Sequence, residues 1–419
     1  MTISDREIEN LKEAGTLLLA AKRQLPVMRS LAWDRTLVDQ FFATGEKEPP
    51  KPQYPVIDGQ KALEAVAKAR SLIKGSSPVH HWFQRVADNI HRTSALLSSL
   101  GTRSFHDHSN TLYGGPSTPI ADGERTALAL AQRLDTMLSD YDEASINLEP
   151  AETHSAQDIA AKLRKELPKH FGDEAPRVEI TPDASAKALA GRNYIKLRAD
   201  ANFSDLDTEQ LLQHEALVHI ATGFNGATQK NFPLLGSSRP GVTRTQEGLA
   251  VFAEFISGAL DPSRFKRLAD RVIAIQMSAD GADFIEVYNF FRENSKKNAP
   301  YEAFESARRV VRGGLVNGGA PFTKDSVYLA GLLEIHNYLR TAIKTGNAKF
   351  IRLLFIGKID LEDLDAMKML DDLNLLDPPR FMPPWATDLR YLLSYLAYST
   401  FLNEIDLGKV ANRYKDLLT

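Results

Sequence analysis

The stretch QHEALVHI, from Gln213 to Ile220, decides how the rest of the sequence is interpreted. It differs by one residue from His-Glu-x-x-His, a spacing that places two histidines on one face of a helix. Here the second histidine, His219, comes five residues after His214. In a regular α-helix two such side chains point about 140° apart. A π-helical bulge absorbs one residue and returns both to one face. The sequence therefore predicts either such a bulge or two unrelated histidines.

The residues around this stretch predict a single helix over about 205–222. Ser204 followed by Asp207 matches a capping box, in which a serine and an acidic residue satisfy each other's backbone N–H groups. Asp205 and Asp207 also place negative charge at the positive end of the helix dipole. His214, Glu215 and His219 are therefore predicted to share one helix.

A catalytic zinc site uses three protein ligands and keeps one position open. Downstream, a second amphipathic helix is predicted over about 245–259, and Glu247 falls in its first turn. Gly248, the next residue, permits another backbone to come close. The alternative is that Glu247 is an ordinary acidic residue stabilised by the helix dipole.

Together these residues form a His₂Glu set of the gluzincin type, with His214, His219 and Glu247 holding one Zn²⁺ per chain. Glu215, next to the first ligand, would take the proton of the attacking water. His106 and His108 also look like metal ligands in isolation, but they lie in a polar stretch, 101–119, predicted to be a loop. An ordinary polar role is the alternative for both.

Composition excludes several classes of protein. The 419 residues carry a formal net charge of −3 and no cysteine. Thiolate metal sites and cysteine nucleophiles are therefore excluded, and a dedicated nucleic-acid partner is not expected. No apolar run approaches the length of a membrane span, and the polar N-terminus does not resemble a signal peptide. A cytoplasmic protein without a membrane partner is expected.

The chain divides into three predicted parts. Residues 1–44 form a helical segment, the Pro-rich residues 45–59 a linker, and residues 60–419 a metallopeptidase-like domain. Alternating apolar and polar residues predict a small sheet at about 176–200, directly before the motif helix. The expected fold is a predominantly helical α+β protein with a zincin-like metallopeptidase core and helical N- and C-terminal parts.

The string QEGLA, Gln246 to Ala250, with HEALVH upstream resembles the bacterial flavohemoglobin expression-modulating QEGLA-motif family. That family is similar to the eukaryotic microtubule-associated tyrosine carboxypeptidases, which remove the C-terminal tyrosine of α-tubulin. The resemblance covers most of the chain, and in this family the His-Glu-x-x-x-His spacing is the normal pattern. It implies that His214, His219 and Glu247 bind zinc and that Glu215 is catalytic. Other segments that carry it are GTRSF…LYGGP (101–116), TGFNGATQ (222–229) and GGAPFTKDSVYLAGL (318–332).

A carboxypeptidase must also bind the terminal carboxylate of its substrate, usually with Arg or Lys. Lys324 and Tyr328, four residues apart on one helical face, are the first candidates, and Arg244, Arg309 and Arg312 are further ones. An ordinary surface or salt-bridged role is the alternative for each. An acid four residues after Glu247 would often support a ligand histidine, but that position is Val251. Glu254 is the possible substitute.

The expected function is therefore that of a zinc-dependent metallopeptidase. We expect a carboxypeptidase that removes a C-terminal residue, aromatic residues included, from a peptide or protein. The alternatives are a non-catalytic zinc-binding regulatory or interaction protein and, more weakly, a hydrolase of non-peptide amides. The sequence makes no prediction of the oligomeric state.

Overall fold

The computed structural model of the chain describes residues 3–139, 153–182, 187–294 and 299–413, and most of these are helical. None of the described helices combines the length and the apolar composition needed to cross a bilayer. The helices before the sheet are α1 (Asp5–Arg23), α2 (Val27–Ser30), α3 (Thr36–Ala43), α4 (Gln60–Leu72), α5 (Pro78–Ser98), α6 (Arg103–Tyr113), α7 (Ala127–Ser139) and α8 (Ala156–Phe171). Those after it are α9 (Asp205–Gln210), α10 (Ala221–Ala227), α11 (Pro240–Ile256), α12 (Pro262–Ala279), α13 (Phe284–Glu293), α14 (Pro300–Val311), α15 (Val327–Lys344), α16 (Leu364–Asp372), α17 (Pro384–Thr387), α18 (Arg390–Leu402) and α19 (Leu407–Arg413).

A small sheet lies between the two groups of helices, as predicted. Its strands are β1 (Arg177–Thr181), β2 (Ala188–Ala190) and β3 (Tyr194–Arg198), in the order β1-β3-β2. The central strand, β3, pairs in parallel with β1 and antiparallel with β2. Its alternating residues Ile195 and Leu197 are fully buried against α8. The predominantly helical α+β class is therefore confirmed.

The motif helix runs without a break from α9 through a π-helical segment, Leu211–Ile220, into α10. Ser204 and Asp207 form the predicted capping box at its start. The helix continues five residues beyond the predicted end at residue 222. It lies between two hydrophobic cores: Leu217 and Ile220 pack with the sheet, whereas Val218 packs into the larger helical core. Burial on both sides fixes the rotation of the helix about its axis.

Helix α11 carries Glu247 and packs along α15. It begins at Pro240, five residues before the predicted start, because proline is well suited to the first position of a helix. Glu247 therefore lies in the second turn and not in the first. A Cβ at Gly248 would lie 2.2 Å from the backbone of Gly331 on α15. This glycine thus permits the predicted close approach of two helices.

The N-terminal helices belong to the same large core as α11 and α15, since α1 packs against α4 and α5. The hydroxyl oxygen of Tyr54 accepts two hydrogen bonds, from the Trp33 indole N–H at 2.9 Å and from the Gly313 backbone N–H at 2.7 Å. The predicted loop at 101–119 is wrong in part, because α6 occupies its centre. Phe105, the buried Ser109 and Tyr113 recur at helical spacing on its inner face.

Candidate metal centre

The π-helical segment brings the two motif histidines together. The rings of His214 and His219 lie 4.8 Å apart, centroid to centroid, and almost perpendicular. Ligand-capable atoms of His214, Glu215 and His219 all lie within 4.8 Å of one another. The extra residue in the motif is thus absorbed by the wider π turn, and the predicted bulge is confirmed.

Two carboxylates lie close to these imidazoles, and their contacts distinguish them. Glu247 Oε2 lies 3.3 Å from His219 Nε2 and 3.5 Å from His214 Nε2. Zinc bonds of about 2.0–2.1 Å in a tetrahedron place ligand atoms about 3.3 Å apart. Both distances match the separation expected between two ligand atoms of one tetrahedral zinc ion. Glu247 is therefore better placed than Glu215 to be the third ligand, and it fits the donor set that zinc prefers.

The buried Glu254 supports His214 from behind. Its Oε1 lies 2.6 Å from His214 Nδ1, and Arg264 binds the same carboxylate through two hydrogen bonds of 3.0 Å. Burial alone would raise the pKa of Glu254, but the Arg264 charge and the His214 contact lower it to about 2. The carboxylate accepts the Nδ1 proton and leaves Nε2 of His214 free to bind a metal. The substitute suggested for the Val251 position thus lies where a metal site needs it.

The contacts of His214, His219 and Glu247 set the directions of their pKa shifts. Burial alone would lower the pKa of His214, but hydrogen bonds with Glu247 and Glu254 raise it well above its usual value. The pKa of His219, which contacts Glu247 alone, is lowered by burial. Burial would raise the pKa of Glu247, but Lys324 and the two histidines hold it well below normal. Of the two imidazoles, His214 is thus the one whose contacts favour the protonated form, because two carboxylates face it.

Three of the predicted substrate-binding residues lie in different surroundings. Lys324 Nζ is 3.2 Å from Glu247 Oε1 and 5.3 Å from the centre of the Tyr328 ring. Tyr328 is almost fully buried, one turn further along the chain. The guanidinium of Arg244 instead donates to Glu334 and to the carbonyl of Tyr113, each at 3.0 Å. Lys324 and Tyr328 are thus brought to the centre, whereas Arg244 holds α11 to its neighbours.

Lys358 was missed by sequence reasoning, although it lines the cleft that opens onto Glu215, His219 and Glu247. Its Nζ donates to Gln246 Oε1 at 3.3 Å, which also contacts the Thr222 hydroxyl at 2.8 Å. Burial lowers the pKa of Lys358 to about 8, despite the attraction of Glu247 and Glu215. The signal in the sequence is a single lysine inside the apolar run LLFIGKI (353–359). Because burying a charge is costly, a lysine in an apolar run indicates an ion pair or a functional role.

A cleft of about 730 Å³ opens onto Glu215, His219 and Glu247. Glu215 and Glu247 are the acidic residues in its lining, against seven cationic ones. These are Lys22, Arg23, Arg29, Arg192, Arg239, Lys324 and Lys358. The cleft is therefore strongly positive, although the chain as a whole has a net charge of −3.

His106 and His108 lie on α6 and take no part in this centre. The imidazole Nδ1 of His106 contacts the carbonyl oxygen of Pro321 at 2.8 Å. Within the described ranges, ligand atoms of His214, Glu215 and His219 lie within 4.8 Å of one another, and Glu247 contacts the same two imidazoles.

Comparison with known proteins gives a weak structural likeness and a clear family. No curated protein matches the chain significantly. A crystal structure from Colwellia psychrerythraea, of a protein provisionally described as a lipoprotein, is similar with 13% sequence identity and a TM-score of 0.43. That match covers 80% of this chain and 66% of the other. The family model described as "Microtubule-associated tyrosine carboxypeptidase" matches residues 39–404. The chain therefore belongs to the microtubule-associated tyrosine carboxypeptidase family, a family of peptidase-like enzymes.

Proposed function

We propose that the protein is a zinc-dependent carboxypeptidase with a zincin-like core, formed by the sheet, the motif helix and α11. The observation that carries the proposal is the convergence of three donor atoms. Nε2 of His214 and Nε2 of His219 both lie within 3.5 Å of Glu247 Oε2. His214, His219 and Glu247 would hold the ion. Zinc, when bound, supplies Lewis-acid catalysis to the attacking water and to the scissile carbonyl.

Glu215 acts as the general base in this proposal. It lines the cleft beside His219, whereas Glu247 is engaged by both imidazoles and by Lys324. Glu215 accepts a proton from the attacking water and later delivers it to the leaving amine, so that one carboxylate serves both proton transfers. The buried ammonium of Lys358 adds positive charge where the tetrahedral oxyanion develops.

Lys324 and Tyr328 bind the C-terminal residue of the substrate in this proposal. The ammonium of Lys324 lies between Glu247 and the Tyr328 ring, so it is held close to the proposed metal. A cation at this place attracts a terminal carboxylate, which an internal peptide bond lacks. The enzyme would therefore trim chain ends and would not cut within chains.

The lining of the cleft favours an acidic peptide upstream of the scissile bond. Four of its cationic residues, Lys22, Arg23, Arg29 and Arg192, lie outside the proposed metal centre. Positive charge along a cleft raises the local concentration of an acidic ligand and speeds its association. A protein with an acidic C-terminal tail is the substrate class that this charge fits best.

The test combines metal analysis with peptide hydrolysis. The wild-type protein, expressed with zinc, should bind one zinc per chain and release the last residue of acidic peptides. Replacement of His214 or Glu247 by alanine should remove the metal and the activity, whereas Glu215→Gln should keep the metal and lose hydrolysis by at least about 10³-fold. His108→Ala serves as a matched control and should keep both.

Two results would overturn the proposal. A zinc-free wild-type protein would exclude the metal centre. A zinc-loaded protein that binds peptides but hydrolyses none of a panel with all twenty C-terminal residues would favour the regulatory alternative.

A further inference from the structure

Helix α18 is packed against the protein along its first half only. Leu392 and Leu396 anchor that half, since both are buried in the large helical core. Beyond them, none of the described side chains from Ala397 to Arg413 is buried. Short helices are marginally stable in water unless an apolar face is buried against another element. The outer half of α18 and the short α19 therefore lack packing partners within the described part of one chain.

Exposed apolar side chains follow one face of this helix. Tyr391, Tyr398 and Leu402 are exposed, and the half-buried Tyr395 completes a spacing of four, three and four residues. This spacing is that of the seam along which two helices pack in a coiled coil. The rings of Tyr391 and Tyr395 stack with their centres 6.3 Å apart. Exposed apolar residues also flank and follow the seam. We define the C-terminal apolar face as Tyr391, Tyr395, Tyr398, Phe401, Leu402, Ile405 and Leu407.

The helix that carries this face has no charged residue. Residues 391–403 include no Asp, Glu, Lys or Arg, although these types make up 25% of the whole chain. Helices that lie on a membrane surface carry Lys and Arg along their polar face, so a lipid bilayer fits α18 poorly. A partner selected by opposite charge fits it no better. Two copies of an uncharged face, in contrast, meet without repulsion.

The area of the C-terminal apolar face matches what a stable dimer needs. Apart from Tyr395, its side chains are 40–72% exposed. Since a large side chain presents about 150–250 Å² when it is fully open, these side chains together present roughly 700 Å². A monomeric protein rarely exposes an apolar patch of more than a few hundred Å². Two such faces would bury about 1,400 Å², which lies within the range of about 1,200–2,000 Å² for stable interfaces.

We infer that the C-terminal apolar face pairs with the same face of a second copy of this chain, α18 against α18, in a two-fold dimer. Interfaces between identical chains are more apolar than those between transient partners. A two-fold axis brings the same patch of both copies together, so a self-complementary seam is sufficient. The residues that line the cleft belong to other elements than α18 and α19, and the pairing leaves the proposed metal centre open. The dimer is therefore independent of the proposed function.

Analytical ultracentrifugation of the full chain across a dilution series tests the dimer. Wild-type protein should sediment at micromolar concentrations with twice the mass of one chain, which is 46.5 kDa. Leu402→Glu places a charge in the seam and should raise the dissociation constant of the dimer at least about 30-fold. Tyr398→Glu should act in the same direction, because it replaces an aromatic ring of the seam by a charge.

Leu393→Glu is the matched control for Leu402→Glu. Leu393 is exposed on the same helix, and the nine residues that separate it from Leu402 place the two side chains about 180° apart. The same substitution at this position should leave the dissociation constant unchanged. Circular dichroism should show wild-type helicity in all three variants, since each residue is partly exposed. If Leu402→Glu is unfolded, the comparison of Tyr398→Glu with Leu393→Glu decides.

Three results would overturn the inference. The first is a wild-type protein that stays monomeric up to its solubility limit. The second is a dimer that Leu393→Glu weakens as much as Leu402→Glu, or that neither Leu402→Glu nor Tyr398→Glu weakens. The third is a monomer that floats with vesicles of anionic phospholipid and loses this binding in Leu402→Glu, which would assign the face to a membrane. Peptide hydrolysis by a monomeric protein would leave the proposed function standing while the dimer fails.

Discussion

The charged side chains behind His214 and those behind Lys324 differ in whether they have hydrogen-bonding partners. Behind His214, the buried Glu254 is paired on both sides: it contacts His214 at 2.6 Å and Arg264 at 3.0 Å. Behind Lys324, the side chains of the half-buried Arg271 and the buried Arg312 have no hydrogen-bonding partner among the described residues and contact aromatic rings instead. Paired charges hold a side chain in one orientation, which a metal ligand requires. A charge without such a partner keeps the cost of its desolvation.

Removing Glu254 should have the largest effect, because it breaks the paired side. Glu254→Ala leaves both His214 and Arg264 without their buried acceptor. We expect the free energy of unfolding to fall by about 3–5 kcal/mol and the affinity for zinc to fall about 10–100-fold. Urea denaturation and competition with a zinc chelator measure the two effects. Glu254→Gln, which keeps an acceptor, should lose less of both, and wild-type stability of Glu254→Ala would contradict the paired description.

The contrast between the sides is sharpest in two matched arginine variants. Arg264→Met removes a paired charge and leaves the buried carboxylate of Glu254 without its cationic partner. The free energy of unfolding should therefore fall by about 2–4 kcal/mol. Arg271→Met removes an unpaired charge and should leave the stability unchanged or raise it by about 1 kcal/mol. Denaturant unfolding of both proteins in parallel tests this order. An equal loss of stability in the two variants would contradict the distinction between the paired Arg264 and the unpaired Arg271.

Asp360 extends the comparison to a half-buried carboxylate. Burial and the neighbouring Asp363 raise its pKa to about 7. An acid whose pKa is raised in the folded state stabilises fully below its unfolded pKa, about 3.9, and loses that contribution as the pH rises through 7. Asp360→Asn should therefore gain stability relative to wild type between pH 4 and pH 7, by about 1–3 kcal/mol, and the gain should be constant above. A difference independent of pH, measured by thermal unfolding, would contradict this.

The smallest effect is expected at the outer cations of the cleft. Arg29 is exposed, so its attraction for an acidic peptide is screened and worth less than about 1 kcal/mol. Arg29→Gln should raise KM for acidic peptides about two- to fivefold at low salt and leave kcat unchanged. The difference should vanish at about 0.5 M salt. A neutral peptide of the same length is the control, and an equal change in its KM would exclude an electrostatic role.

Much of the centre was accessible from the sequence, because its signals are local. The helix, its capping box and the need for a bulge between His214 and His219 all follow from residues 204–220, where helical geometry relates each residue to its neighbours. The glycine at position 248 also indicated that another backbone comes close, and the backbone of Gly331 does so. The stretch at 101–119 was misjudged because its polar composition concealed the helical spacing of Phe105, Ser109 and Tyr113.

The sequence by itself determined the helical α+β class and the local distortion that unites the two histidines. Only the tertiary structure decided which charges meet. Arg264 and Arg271 lie on α12 and Lys358 follows α15, so all three are far along the chain from the motif helix, and no helical spacing relates them to it. Helical periodicity acts over a few residues, whereas ion pairing depends on distance in space and on the exclusion of water. The ion pair between Glu254 and Arg264 is therefore a property of the fold. So is the lack of a hydrogen-bonding partner for the Arg271 side chain among the described residues.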